Sequence, residues 1–147
     1  MSEIYPYFIK FHIVFSVIFL VTVILISAYY LRGWMANAEY GLRENFLRKL
    51  FLAMLYTDMI LGIILYFFLQ KPAELISAEE AMNYSKLRFW AIQHFSNIVF
   101  VTILCITGNQ LILRTEVALR KFKYSFIYFG VSSLVIIVSV ALFALRK

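Results

Sequence analysis

Between Arg88 and Arg114 the chain runs for 25 residues without a formal charge. A helix needs only about 20 apolar residues to cross roughly 30 Å of hydrocarbon. The run is bounded by Arg88 and Arg114, with Trp90 near its start, residue types that reach for headgroups at the ends of membrane helices. Three further runs have the same character: Phe11–Leu31, Leu50–Leu69 with Asp58 as its one charge, and Ser125–Leu145. Of the whole chain, 63% is hydrophobic and 15% charged, whereas soluble domains average about 45–50% apolar and about 25% charged. The pattern predicts an all-α integral membrane protein, one domain over residues 1–147, with spans at about 11–31, 50–69, 89–113 and 125–145. Short connections favour an antiparallel up-down four-helix bundle.

The first run is too long for a signal-peptide core and ends in Tyr29, Tyr30 and Arg32, so it reads as a retained span. Residues 32–49 read as a basic loop with a short interfacial helical turn, and 70–87 as a second loop broken at Pro72. The net charge of +6 is distributed over such loops rather than gathered beside stacking platforms, which argues against nucleic-acid binding. Loops one and three carry eight basic residues: Arg32, Arg43, Arg48, Lys49, Arg114, Arg120, Lys121 and Lys123. The opposite side carries six, so the positive-inside rule places both termini outside. The single cysteine, Cys105, excludes an internal disulfide.

Polar groups inside a span must face protein or ligand rather than lipid. His94, Asn97, Val101, Leu104 and Gly108 share one helix face by their 3–4–3–4 spacing, and His12, Ser16, Phe19 and Val23 share another. His12 and His94 are the only histidines, and spans one and three run in the same direction, so both imidazoles are expected near one membrane face. Two imidazoles on diagonal helices suit axial ligation of a b-type haem. Lys10, Lys86 and Arg88 at that end are the candidates for pairing with haem propionates. The alternative for each histidine is an interhelical hydrogen bond with no cofactor.

Asp58 shares a face with Met54 and Gly62 and is expected either to relay protons, to meet a neighbouring subunit, or to bond to a facing helix through Asn109 or Thr107. Asn97 and Asn109 are the other candidate buried polar positions. Neither a nucleophile motif nor a phosphate-binding glycine loop is present, so no enzymatic reaction is indicated.

The segments IKFHIVFS, YTDMILGIILYFF and RFWAIQHFSNIVFVTILCITGNQ resemble three blocks of a small bacterial four-span family usually labelled "cytochrome b". That family's pattern has a Lys-x-x-His block in span one, a His followed by spaced Gly and Tyr in span two, and Arg-Tyr-Trp-x-x-Glu-His in span three. His12 and His94 fall on its first and third histidines, and Gly62 and Tyr66 keep its second-span spacing. Asp58 stands where its second-span histidine stands, Gln93 replaces its glutamate, and Asn109 takes the polar place after Gly108. The resemblance implies a bacterial inner-membrane protein with electron transfer to the quinone pool or a partner. If the cofactor needs the second-span histidine, it implies instead a haemless accessory subunit of a larger membrane complex, or an oligomer. A transporter is the remaining reading, for which one buried carboxylate offers little.

Overall fold

The computed structural model describes residues 4–65 and 93–145, and it is a bundle of four helices with no strand among them. Helix α1 spans Tyr5–Met35, α2 Leu42–Ile64, α3 Phe95–Arg114 and α4 Ala118–Leu145. Three of them, α1, α3 and α4, are long and apolar enough to cross a membrane. The described part of α2 carries Arg43, Glu44, Arg48, Lys49 and Asp58 and falls outside that group. The expected spans at 50–69 and 89–113 lie partly outside the described residues.

Helix α1 begins with Pro6 in its first turn, where a missing N–H costs nothing. It ends in a Schellman motif. Asn37 adopts φ 50°, its N–H donates to Trp34 O (3.4 Å), and Ala38 N–H donates to Gly33 O (3.0 Å). Asparagine is the residue after glycine best suited to that left-handed position. Three residues later Gly41 starts α2, and Glu44 reaches back to accept the Gly41 N–H at 2.8 Å. That bond is the glutamate half of a capping box.

The basic stretch 32–49 is therefore not a loop as expected. Only 36–41 connects α1 to α2, and Arg43 to Lys49 belong to a continuous helix. The charges could be helical because Glu44 caps the helix and Arg48 turns inward to donate to Asn109 on α3. Residues 115–117 connect α3 to α4, with the Val117 N–H donated to Thr115 Oγ1 (3.3 Å).

Helix α1 packs between α2 and α4, and α3 packs closely on α4 and more lightly on α2. The core is aromatic. Phe51 of α2 stacks on Phe129 of α4 with ring centroids 4.3 Å apart, and Phe19 of α1 tilts against Phe51 at 5.9 Å. Leu55, Val101 and Cys105 fill the space beside them, all fully buried. Two glycines mark where backbones come closest. Gly33 lies under the Phe122 ring, and Gly108 lies against the Cβ and Cγ of Tyr128. Along α1 the outward residues Val14, Val17, Val21, Ile24 and Leu25 are each more than half exposed.

Candidate functional site

The described residues hold two buried polar clusters, one toward each end of the bundle. The first is built from the start of α1, the end of α2 and the start of α3. His12 Nδ1 lies 3.5 Å from Asp58 Oδ1, and Ser16 Oγ, one turn along α1, lies 2.5 Å from the same oxygen. Ser16 Oγ is also 2.9 Å from the His12 carbonyl, and a single hydroxyl proton cannot serve both acceptors fully. The His12–Asp58 approach is an ion-pair distance but not a well-aligned hydrogen bond, so His12 Nδ1 is a buried nitrogen without a hydrogen-bond partner.

Gly62, one turn beyond Asp58, faces the Cε1–Nε2 edge of His12. A Cβ built there would lie 3.8 and 3.9 Å from those two atoms. His94 sits in a π-helical turn that leads into α3, half-buried and within electrostatic reach of His12. Such turns recur at functional positions. Among the described residues no three His, Cys, Asp or Glu side chains converge as a metal-ion site.

The expectation that Asp58 bonds to Asn109 or Thr107 is wrong. Asp58 faces His12 and Ser16, Asn109 accepts from Arg48, and the Thr107 hydroxyl donates to the Ile103 carbonyl (2.9 Å). The reason is depth. Because α2 starts at Leu42, Asp58 stands 16 residues along it, about 24 Å at 1.5 Å per residue. That puts Asp58 level with His12 rather than with the end of α3.

Asn97 is on the expected inward face, where its Nδ2 donates to Ser139 Oγ of α4 at 2.7 Å. Val101 and Gly108 on that face are buried and Leu104 is half-buried. Lys10 is exposed two residues before His12, while Lys86 and Arg88 lie outside the described residues.

The second cluster lies by the two connections, and reading residues 32–49 as a loop misses it. The Glu44 carboxylate accepts from the Tyr29 hydroxyl and from Gly41 N–H, and the Glu44 carbonyl accepts from the Tyr30 hydroxyl at 2.8 Å. Burial alone raises the Glu44 carboxyl, but those donors outweigh it and hold it below the ordinary value. Burial raises the Tyr40 hydroxyl above its ordinary value. Arg48, 6% exposed, donates to Asn109 Oδ1 and, at 3.4 Å, to Asn45 Oδ1. The sequence signal that could have found it is the Gly41–Glu44 cap spacing followed by inward-facing Arg48, Phe51, Leu52 and Leu55.

Chemically, the first cluster can hold and orient a proton between a carboxylate and an imidazole, with a second imidazole nearby. Compared with protein-family models, curated proteins and solved structures, the chain matches none.

Proposed function

We propose that the chain is an integral membrane protein whose four helices cross the bilayer up and down, and that it binds one b-type haem between His12 and His94 for electron transfer. Membrane insertion is supported by the three long apolar helices and by the apolar outer face of α1. The up-down order is supported by the pairs His12–Asp58, Gly33–Phe122 and Asn97–Ser139, each joining the start of one helix to the end of another. Burial of Asp58 against Ser16 and His12 removes the obstacle to α2 as the fourth span. A carboxylate facing lipid would cost about 2.5–3.5 kcal/mol on insertion scales. Arg32, Arg43, Lys49, Arg114, Arg120, Lys121 and Lys123 gather at the end with the connections. That supports a cytoplasmic basic end, outside termini and an inner-membrane location.

The observation that carries the haem reading is the meeting, at one end of the bundle, of two imidazoles from different helices with a carboxylate behind one of them. Imidazoles that ligate metals commonly direct their other nitrogen to a carboxylate, which fixes the tautomer and the ring plane. His12 fits that description: Nδ1 is turned toward Asp58, and the Nε2 edge passes the side-chain-free Gly62. His12 and His94 would hold the group, Asp58 would orient His12, and Ser16 would keep the carboxylate in place. When bound, haem supplies one-electron transfer at potentials set by its ligands and surroundings. Phe15, half-buried on the same side of α1, leads from the site into the aromatic core. Lys10 is the described candidate for a propionate, and a quinone or partner protein would exchange the electron.

The test is a dithionite-reduced minus oxidised visible spectrum of detergent-purified protein from haem-sufficient cells. Sharp Soret and α bands that disappear in His12→Ala and His94→Ala are expected. A featureless spectrum from folded protein sinks the haem reading and leaves the accessory-subunit role. That role has less support, because Asp58, Asn97 and Asn109 all find partners inside the chain rather than facing outward.

A further inference from the structure

Near its C-terminal end α1 carries an open groove of about 380 Å³, lined by Ala28, Leu31, Arg32, Met35 and Ala36. Ala28, Arg32 and Ala36 follow one another at four-residue steps and so form one row along the helix, with Leu31 and Met35 in the next row. The two alanines leave a dip before and after Arg32, and the longer Leu31 and Met35 wall it on one side. Ala28, Arg32, Met35 and Ala36 are exposed, so the groove opens away from the core. Toward the histidine end the same outer face continues in Leu25, Ile24 and Val21, each more than half exposed.

Arg32 comes directly after the apolar run Phe11–Leu31, which sets its guanidinium at headgroup depth in a bilayer. Among the described residues no carboxylate lies within ion-pair distance of it. Its surroundings are cationic. Lys123 of α4 sits 6.0 Å over the Trp34 ring, and Arg43 of α2 lies close to the Tyr29 hydroxyl. Against these stand Glu39 and Glu116 in the two connections, while Glu44 is buried and engaged by Tyr29 and Gly41. The helix dipole accounts for a cation in the last turn, but not for a groove around it. A second copy seated face to face on α1 in a symmetric parallel pair would set Arg32 against Arg32. An anionic headgroup meets the charge instead of repeating it.

We propose that this groove seats one anionic phospholipid of the leaflet at the basic end, with its phosphate on Arg32. A guanidinium can donate two parallel hydrogen bonds to a phosphate. The first acyl methylenes lie against Ala28 and Leu31, and the chain continues along Leu25, Ile24 and Val21. Lys123 and Arg43 add attraction that a zwitterionic headgroup, with no net charge, receives far less. The site rests on the membrane insertion proposed above and is independent of haem and of the histidine cluster.

The test is native mass spectrometry of the full chain in detergent, with equal amounts of phosphatidylglycerol and phosphatidylcholine carrying the same acyl chains. One phosphatidylglycerol should be retained with a preference of about fivefold or more, what one cation near an anionic surface contributes. Arg32→Gln should abolish the preference, and Ala28→Phe, which fills the dip, should lower retention. Arg114→Gln, exposed at the end of α3, which packs on α2 and α4, should change neither. Equal retention of the two lipids by a chain that needs detergent to stay dispersed overturns this site alone. So does an Arg114→Gln effect as large as that of Arg32→Gln, which would mark diffuse attraction to the basic end. A chain that stays monodisperse after detergent removal overturns both the site and the membrane insertion on which it rests.

Discussion

Replacing Gly108 by alanine should separate α3 from α4, whereas the same change at Gly62 should not disturb the bundle. At Gly108 the new Cβ would lie 2.4 Å from Tyr128 Cβ and 2.6 Å from its Cγ, against the 3.4 Å at which ordinary contact begins. The clash involves the base of the tyrosine side chain, which cannot swing away, so the two helices must part locally by about 1 Å. Overpacking of this kind costs about 1–3 kcal/mol. A gap of that width also forfeits about a quarter to a half of the dispersion energy of flanking contacts. Those contacts include the 3.3 Å approach of Cys105 Sγ to Ser132 Oγ. Alanine returns about 1 kcal/mol through helix propensity.

At Gly62 only that gain operates, because the nearest atoms are the His12 ring at 3.8–3.9 Å. The two variants should therefore differ by about 1–3 kcal/mol, the overpacking cost alone, since the propensity gain is common to both and cancels. Reversible unfolding in mixed micelles of rising SDS fraction, followed by circular dichroism, measures the difference. Equal stability of the two variants would refute the reasoning that the α3–α4 distance is set by backbone contact at Gly108.

The two polar clusters give further expectations. Asp58→Asn keeps an oxygen for Ser16 and should stay within about 1 kcal/mol of the parent, while Asp58→Ala removes the carboxylate that faces half-buried His12, leaves Ser16 only the His12 carbonyl, and should cost about 1–3 kcal/mol in the same micelle assay. The Glu44 carboxyl titrates below its ordinary 4.5 in the folded chain, so its contribution is present above that pH and is lost as pH falls through the folded value. Unfolding midpoints measured from pH 6 down to pH 3 should fall, and Glu44→Gln should flatten that part of the decline.

Charge-free runs announced the helices plainly, because a long apolar stretch has few structural options besides a buried or lipid-facing helix. Parity led to the expectation that His12 and His94 share one end of the bundle, and in the structure His94 lies within electrostatic reach of His12. The entry of α2 was hidden, because Arg43, Glu44 and Arg48 look like loop residues until their partners are known. Those partners are Gly41, Tyr29 and Asn109, the last 61 residues from Arg48. The same eight-residue error in where α2 begins hid the partner of Asp58, since depth along a helix is counted from its start. Asn97 was placed on the right face, but its acceptor on Ser139 depends on the rotation of α4, which apolar residues all round that helix do not specify.

The spacing of the helices is governed by different means at the two ends. Toward the connections, Gly33 and Gly108 bring the helices to within touching distance of Phe122 and Tyr128, and only 36–41 and 115–117 separate the paired helices. Toward the histidines, among the described residues, helices meet side chain to side chain, as in His12 with Asp58, Ser16 with Asp58 and Asn97 with Ser139. Side chains can be exchanged or re-aimed while a backbone contact cannot, so the bundle behaves as a forked stem with a fixed crotch and adjustable tines. The width between the tines is open to tuning by single substitutions that leave the stem intact, and the imidazoles stand between them.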